Sequence, residues 1–204
     1  MVRMFMHEKG IEIPLVDHDL LGGENRQSEF LKKNPGGQIP ALELENGTIL
    51  AETVAICEYL EEKHPEPALV GKTPEQRADT RMWTRRVELN ITEHLYAGFR
   101  YAEGLDLFRD RVYCIPEAAA EIKKKAQGGL EWLDGQMQGR EYICGDHITV
   151  ADLVLYCCMD FVGSVGQPRD PSHKNIEAWF QMMDARASAE ATIAPNWEEL
   201  GMRV

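Results

Sequence analysis

No two cysteines in this chain are spaced as C-x-x-C, and the five present, Cys57, Cys114, Cys144, Cys157 and Cys158, are odd in number. A paired redox motif is therefore absent and a disulfide framework is not indicated. Reduced, structural thiols in a cytoplasmic protein are expected, with Cys157 and Cys158 inside an apolar helical run. Membrane-spanning runs are lacking too: the longest apolar stretch, near Val150 to Val165, is interrupted by Asp152 and Asp160. No basic, apolar, small-residue leader opens the sequence, so secretion is not expected. Internal repeats and low-complexity tracts are missing. Basic residues number 22 against 34 acidic, and the net charge of −12 argues against general nucleic-acid binding, which needs a clustered positive surface. An anionic ligand must then be held by a local constellation, and no metal site is expected.

What is present is an ordinary globular composition, 44% hydrophobic and 27% charged over 204 residues, enough for one large domain or two small ones. MVRMFMHEKG has helical period with Val2, Phe5 and Met6 on one side, and Lys9-Gly10 as its stop. IEIPLVDHDL predicts a strand with Pro14 at an edge or bend. A polar GGEN turn and a short helix, QSEFLKK, lead to Asn34-Pro35-Gly36-Gly37. ALELE and TILAE flank Asn46-Gly47, the strongest short-range hairpin signal. A helix follows over TVAICEYLEEKH, with Val54, Ile56, Cys57 and Leu60 for its buried side.

HPEPALVGKTP is rich in proline and glycine and reads as a linker. After Pro74 the strand signal largely vanishes. One long amphipathic helix starts near Pro74, and a second covers PEAAAEIKKKAQGGLEWLDGQMQG, with a bend expected at Gly128-Gly129. TVADLVLYCCMDFVGSVG reads as a buried central helix, and NIEAWFQMMDARAS as the last. The division expected is a small α/β domain over residues 1–65, a linker over 66–74 and an all-helical domain over 75–204.

The chemistry concentrates in QIPALELENGTILAET, residues 38–53. Proline at a strand start donates nothing to the ladder, and an X-Pro bond adopts cis at a cost of only about 0.5–1 kcal/mol. A cis bond at Ile39-Pro40 would turn the Ile39 N–H and C=O toward an extended, peptide-like ligand; a plain tight turn is the alternative. Thr53 reads as an N-cap, where exposed helix N–H groups and its hydroxyl suit a ligand carboxylate. Glu52 beside it would accept from a ligand ammonium. The two together suit an α-amino acid head group; ordinary helix-end electrostatics is the other reading.

NPGGQIPALELENGTILAETVAICEYL closely resembles the glutathione-binding segment of cytosolic glutathione transferases, which carry it in a thioredoxin-like domain. MVRMFMHEKGIEIP resembles the first helix and second strand of that domain, and GDHITVADLVLY resembles the signature of the family's helical domain. In the latter, Thr149 and Asp152 are placed for reciprocal capping. The resemblance runs from Val2 to about Thr192, and MWTRRVEL with AGFR looks most like a bacterial and fungal, yeast-type branch. It implies a thioredoxin-like α/β domain followed by an all-α helical-bundle domain, in a homodimeric glutathione transferase acting on small, mostly apolar electrophiles. It further implies that Glu52 and Thr53 grip the γ-glutamyl head, that Ile39 ahead of Pro40 pairs with the cysteinyl unit, and that Gln38 lies near the glycyl end. Arg26 matches an often basic position that would pair with the glycyl carboxylate; a solvated loop arginine is equally compatible.

The resemblance also shows a departure. Family members open with a strand and a turn carrying a Ser, Tyr or Cys that acts on the glutathione sulfur, whereas this sequence opens inside the first helix. A thiol of pKa about 8.5 is only a few per cent thiolate at pH 7, so that residue matters. None of the matched positions supplies it, and no catalytic residue is assigned. Residues lying upstream of Met1, activation through helix N–H groups and a water, and a noncatalytic relative all stay open. The same glutathione site would also serve peroxidase, thiol-transfer, dehalogenase or isomerase chemistry. For the second substrate the resemblance points to the later half of the long helix, with His94, Tyr96, Arg100 and Tyr101 as candidates; helix surface or packing is the alternative. Arg81, Arg85 and Arg86 are expected near a twofold interface, opposite Glu58, Glu61 or Glu62 of a second copy.

Overall fold

The computed structural model describes residues 1–193. Contacts divide the chain into two compact units, Met1–Ala68 and a second beginning at Leu69.

In the first unit, α1 (Val2–Lys9) buries Val2, Met4, Phe5 and Met6. It stops at Gly10, whose φ of 62° is the left-handed conformation that glycine adopts without a Cβ clash. The Gly10 N–H reaches His7 O at 3.2 Å and the Ile11 N–H reaches Met6 O at 2.9 Å, which satisfies the last carbonyls of the helix. A 3₁₀ turn at Glu24–Arg26 and α2 (Ser28–Lys33) follow. Then come β1 (Leu42–Glu43), β2 (Ile49–Leu50) and α3 (Thr53–Lys63), which buries Ile56, Cys57, Leu60 and Glu61 and packs on α1.

The hairpin is antiparallel, with Leu42 opposite Leu50 and Glu43 opposite Ile49. Its turn differs from the two-residue Asn-Gly type. The Leu44 N–H donates to Thr48 O and the Gly47 N–H to Leu44 O, each at 2.8 Å, leaving three residues in the loop with Gly47 at φ 80°. The strand expected within residues 11–20 does not form. A strand exists only with a hydrogen-bonded neighbour, and the sheet among the described residues contains β1 and β2 alone.

Lys9 and Glu61 form a buried ion pair at 2.6 Å, with Lys9 Nζ also donating to Pro67 O at 2.5 Å. Glu61 is therefore committed inside its own unit rather than offered to a second copy.

The regular elements in the described part of the second unit are helices, apart from an isolated bridge between Tyr142 and Gly145. The expected long helix is three pieces end to end: α4 (Pro74–Val87), a π-helical turn at Glu88–Thr92 and α5 (Glu93–Tyr101). A capping box between Thr73 and Gln76 starts it. Next are α6 (Leu105–Phe108), α7 (Ala119–Gln136), α8 (Val150–Ser164), α9 (Lys174–Asp184) and α10 (Ala187–Glu190).

The helix α7 runs unbroken through Gly128-Gly129. A Cβ on Gly129 would lie 2.3 Å from Asn90 O, so this glycine lets α7 approach the π-helical turn rather than bending α7. The helix α8 is buried along most of its length and packs against α4, α5 and α9. Its Val150 N–H is taken by Leu69 O at 2.9 Å. No helix among the described residues is long and apolar enough to cross a membrane.

Candidate functional site

The β1–β2 register explains how two stretches a dozen residues apart come to one place. With Leu42 opposite Leu50, the Ile39-Pro40 stretch that leads into β1 and the Glu52-Thr53 stretch that leaves β2 both lie at the open end of the hairpin. The Ile39-Pro40 bond is cis, and Ile39 is 40% exposed. Neither its N–H nor its C=O is hydrogen-bonded among the described residues.

Glu52 corrects one expectation. It, rather than Thr53, is the N-cap residue of α3, and Thr53 is the first helical residue. Glu52 takes φ 68°, ψ 118° and is the only non-glycine residue with positive φ among those described. That conformation is costly for a side chain with a Cβ and is typically kept where it serves a site. No side chain caps the helix, so the first-turn N–H groups of α3 stay available to an anion. Glu52 itself is exposed and Thr53 half-buried.

Two asparagines missed in the sequence hold the approach to Ile39. Asn34 Nδ2 donates to Gln38 O at 2.7 Å, and the Gly36 N–H donates to Asn34 Oδ1 at 3.2 Å. Asn25 Nδ2 donates to Gly37 O at 2.6 Å, while its buried Oδ1 has no partner. Both asparagines are buried, which fixes the loop that carries Gln38. Arg26, in the 3₁₀ turn ahead of α2, directs its Nη1 at Gly36 O at 3.4 Å, and its buried Nε is unpaired. The Gln38 side chain is exposed. Asn-Pro-Gly-Gly was the signal for the turn, but nothing local names Gly37 O as an acceptor.

The four candidates in the second unit all lie on α5, in different environments. Tyr96 is half-exposed as a residue, but its phenol is deeply set; its ring lies 6.2 Å from Phe161, and burial pushes its pKa well up. It is thus a neutral phenol at pH 7. His94 Nε2 is buried without a partner, and burial, then Lys125, lowers its pKa. Arg100 stacks over the Tyr96 ring at 5.9 Å and lies 3.9 Å from Glu93. Tyr101 is half-buried.

The arginines of α4 are engaged within their own chain. Arg85 pairs with Glu88 at 2.7 Å, and Arg86 lies over the Trp83 ring at 4.8 Å. Among the described residues, no three His, Cys, Asp or Glu side chains are grouped to hold a metal ion.

Known families match both units. Residues 1–63 match the N-terminal domain of glutathione S-transferases and residues 113–187 match their C-terminal domain. Glutathione S-transferase 2 of Saccharomyces cerevisiae is 30% identical over 196 residues, covering 93% of this chain and 82% of the yeast protein. Glutathione S-transferase F10 of Arabidopsis thaliana is 30% identical over 188 residues, covering 89% of this chain and 85% of the plant protein. A crystal structure of a glutathione S-transferase domain-containing protein from Marinobacter aquaeolei superposes with a TM-score of 0.86 at 32% identity, covering 92% of this chain and 93% of the other. With matching fold, matching length and this identity on both units, the chain belongs to the glutathione S-transferase family.

Proposed function

We propose that the open end of the hairpin binds glutathione and presents its thiol to small, mostly apolar electrophiles, making the chain a glutathione transferase. Glu52 carries this reading: an acidic residue with positive φ at the uncapped start of α3. The γ-glutamyl carboxylate takes the first-turn N–H groups and the Thr53 hydroxyl, where the helix dipole adds about 0.3–1 kcal/mol. Glu52 accepts from the ammonium of the same head group. The Ile39 backbone pairs with the cysteinyl unit as one strand pairs with the next. Gln38 and Arg26 lie at the glycyl end, and His94, Tyr96, Arg100 and Tyr101 of α5 are the candidates for contact with the second substrate.

On this reading residues 1–65 form the glutathione-binding domain, 66–74 the linker and 75–204 the helical domain. A cytoplasmic homodimer of the yeast-type branch belongs to the same proposal, and the branch alone is supported by likeness to two solved structures, one named Gtt2 and one named class Gtt2. One is from S. cerevisiae (28% identity, TM-score 0.85) and one from Vibrio parahaemolyticus (31%, 0.80).

Calorimetry with reduced glutathione, on the intact chain and on Glu52→Ala, tests the site. Binding that weakens at least tenfold in the variant supports it, and no binding by the intact chain overturns it. Turnover on a panel of aryl halides, epoxides and enones then tests the reaction. Binding with no turnover on any of them would reduce the proposal to a glutathione-binding module.

A further inference from the structure

Three of the four second-substrate candidates of α5 divide between two flanks of that helix. His94 lies toward Lys125 of α7, and Gly98, one turn on, meets the Lys123 side chain of the same helix. Tyr96 lies instead toward Phe161 of α8, and Arg100, one turn on, stacks over the Tyr96 ring at 5.9 Å. The α8 flank therefore joins aromatic surface to a cation.

Phe99 is the centre of that flank. Its ring meets Phe161 edge-on at 5.0 Å and Phe108 of α6 at 5.9 Å. A Cβ on Gly104 would stand 2.8 Å from Phe99 Cζ, so the ring rests against backbone that glycine leaves bare. Phe99, Phe108 and Phe161 are each half-buried. Edge-to-face packing thus fixes three rings without covering them, and another planar ring is the group that matches such a surface.

Arg100 is short of acceptors. Its guanidinium donates no hydrogen bond among the described residues, and Glu93 is 3.9 Å away, beyond hydrogen-bond reach. Its side chain is only 30% exposed, so the cation is largely withdrawn from water without a carboxylate in its fork. The Tyr96 ring offsets part of that loss, while the Tyr96 hydroxyl is set inward beside Cys158. A carboxylate would supply two oxygens to the planar fork. The net charge of −12 repels anions from the chain as a whole, so an anion would be held here by this local group.

We propose that the α8 flank of α5 selects planar aromatic electrophiles that carry a carboxylate. The aromatic ring lies on Phe99, Phe108 and Phe161, and the carboxylate takes the Arg100 fork. The reaction is that of the transferase reading above, on which this inference rests. With 4-chloro-3,5-dinitrobenzoate, the glutathione sulfur bonds the ring carbon that carries chlorine. Chloride leaves with the electron pair of its bond, and the thiol proton passes to solvent.

The test uses the full chain and two unreactive probes of one shape, 3,5-dinitrobenzoate and 3,5-dinitrobenzamide, titrated by NMR. The anion should bind about tenfold more tightly, with the largest shifts at the Phe99, Phe108 and Phe161 ring signals. Arg100→Met keeps an apolar stem and should bring the two probes to within about threefold of each other. Arg100→Glu should favour the 3,5-dinitrobenzylammonium cation over the benzoate. Turnover of 4-chloro-3,5-dinitrobenzoate against its neutral amide should show the intact chain's preference in KM.

Equal binding of benzoate and amide by the intact chain, or shifts away from those rings, overturns the proposal. So does a preference that survives Arg100→Met. If Arg100→Met weakens glutathione as much as it weakens the benzoate, the guanidinium serves the co-substrate and the proposal also falls. The probes bind without glutathione, so they decide the matter even where calorimetry overturns glutathione binding. Turnover with no preference for the anion overturns this inference and leaves the transferase reading standing.

Discussion

Trp179 Nε1 donates to Asp152 Oδ1 at 2.9 Å, joining α9 to the first turn of α8. The same oxygen accepts from the Ile143 N–H at 2.9 Å, and Oδ2 accepts from the Thr149 N–H and hydroxyl, each at 2.9 Å. Burial pushes the pKa of Asp152 up, and the four donors act against that. Asp152→Ala strands the Ile143, Thr149 and Trp179 N–H donors in a buried site and should cost about 3 kcal/mol or more. Trp179→Phe removes one donor and leaves Oδ1 its Ile143 partner, so about 1–2 kcal/mol is expected. Urea unfolding of the three proteins measures both, and equal losses would show that Trp179 acts through packing alone.

This cluster also shows how far local pattern reaches. Thr149 and Asp152 were legible because reciprocal capping is a four-residue motif, and the hairpin was legible from Asn46-Gly47. Trp179 was not, since its acceptor lies 27 residues away in sequence. Asn25 and Asn34 were hidden because their use depends on carbonyls that face them only after folding. Alternation in residues 11–20 announced a strand, but a ladder needs a neighbour as well as a pattern. The positive φ of Glu52 had no signal, since glycine or asparagine is what ordinarily marks such a position.

His94 should make stability depend on pH near neutrality. Burial, then Lys125, lowers its pKa below the ordinary 6.5, with Glu93 opposing. The unfolded chain therefore binds the proton first on acidification, so this contribution is full above about pH 6.5–7 and is lost as pH falls toward the folded-state value. His94→Gln should flatten that part of the stability–pH curve. NMR titration of the imidazole checks the cause directly, and a midpoint at or above 6.5 would remove it.

Cys144 should be inert in the native protein. Burial pushes its thiol up to about 12, although the Thr149 hydroxyl lies 3.4 Å from Sγ and works the other way. At pH 8 a thiol of that pKa is about one part in ten thousand thiolate. Iodoacetamide should modify Cys144 at least a hundredfold more slowly in the native chain than in guanidinium. Peptide mass spectrometry over a time course measures the ratio; comparable rates would mean that this region opens readily.

Glu52 offers the sharpest separation of binding from stability. Its φ of 68° costs about 1–3 kcal/mol in a residue with a Cβ. Glycine relieves that strain while losing about 0.5–1 kcal/mol to the entropy of the unfolded chain. Glu52→Gly should therefore leave the glutathione-free Tm unchanged or raise it by a few degrees. The same substitution deletes the acceptor for the glutathione ammonium, a charge-assisted bond of about 1.5–3 kcal/mol, so Kd should rise about 10- to 100-fold. Thr53→Val, which keeps shape and loses the hydroxyl, should cost less, about fivefold, because the α3 N–H groups still hold the carboxylate. Thermal melts without glutathione and calorimetry with it decide the matter. A lower Tm would mean that the conformation is not strained, and an unchanged Kd would place the γ-glutamyl head elsewhere.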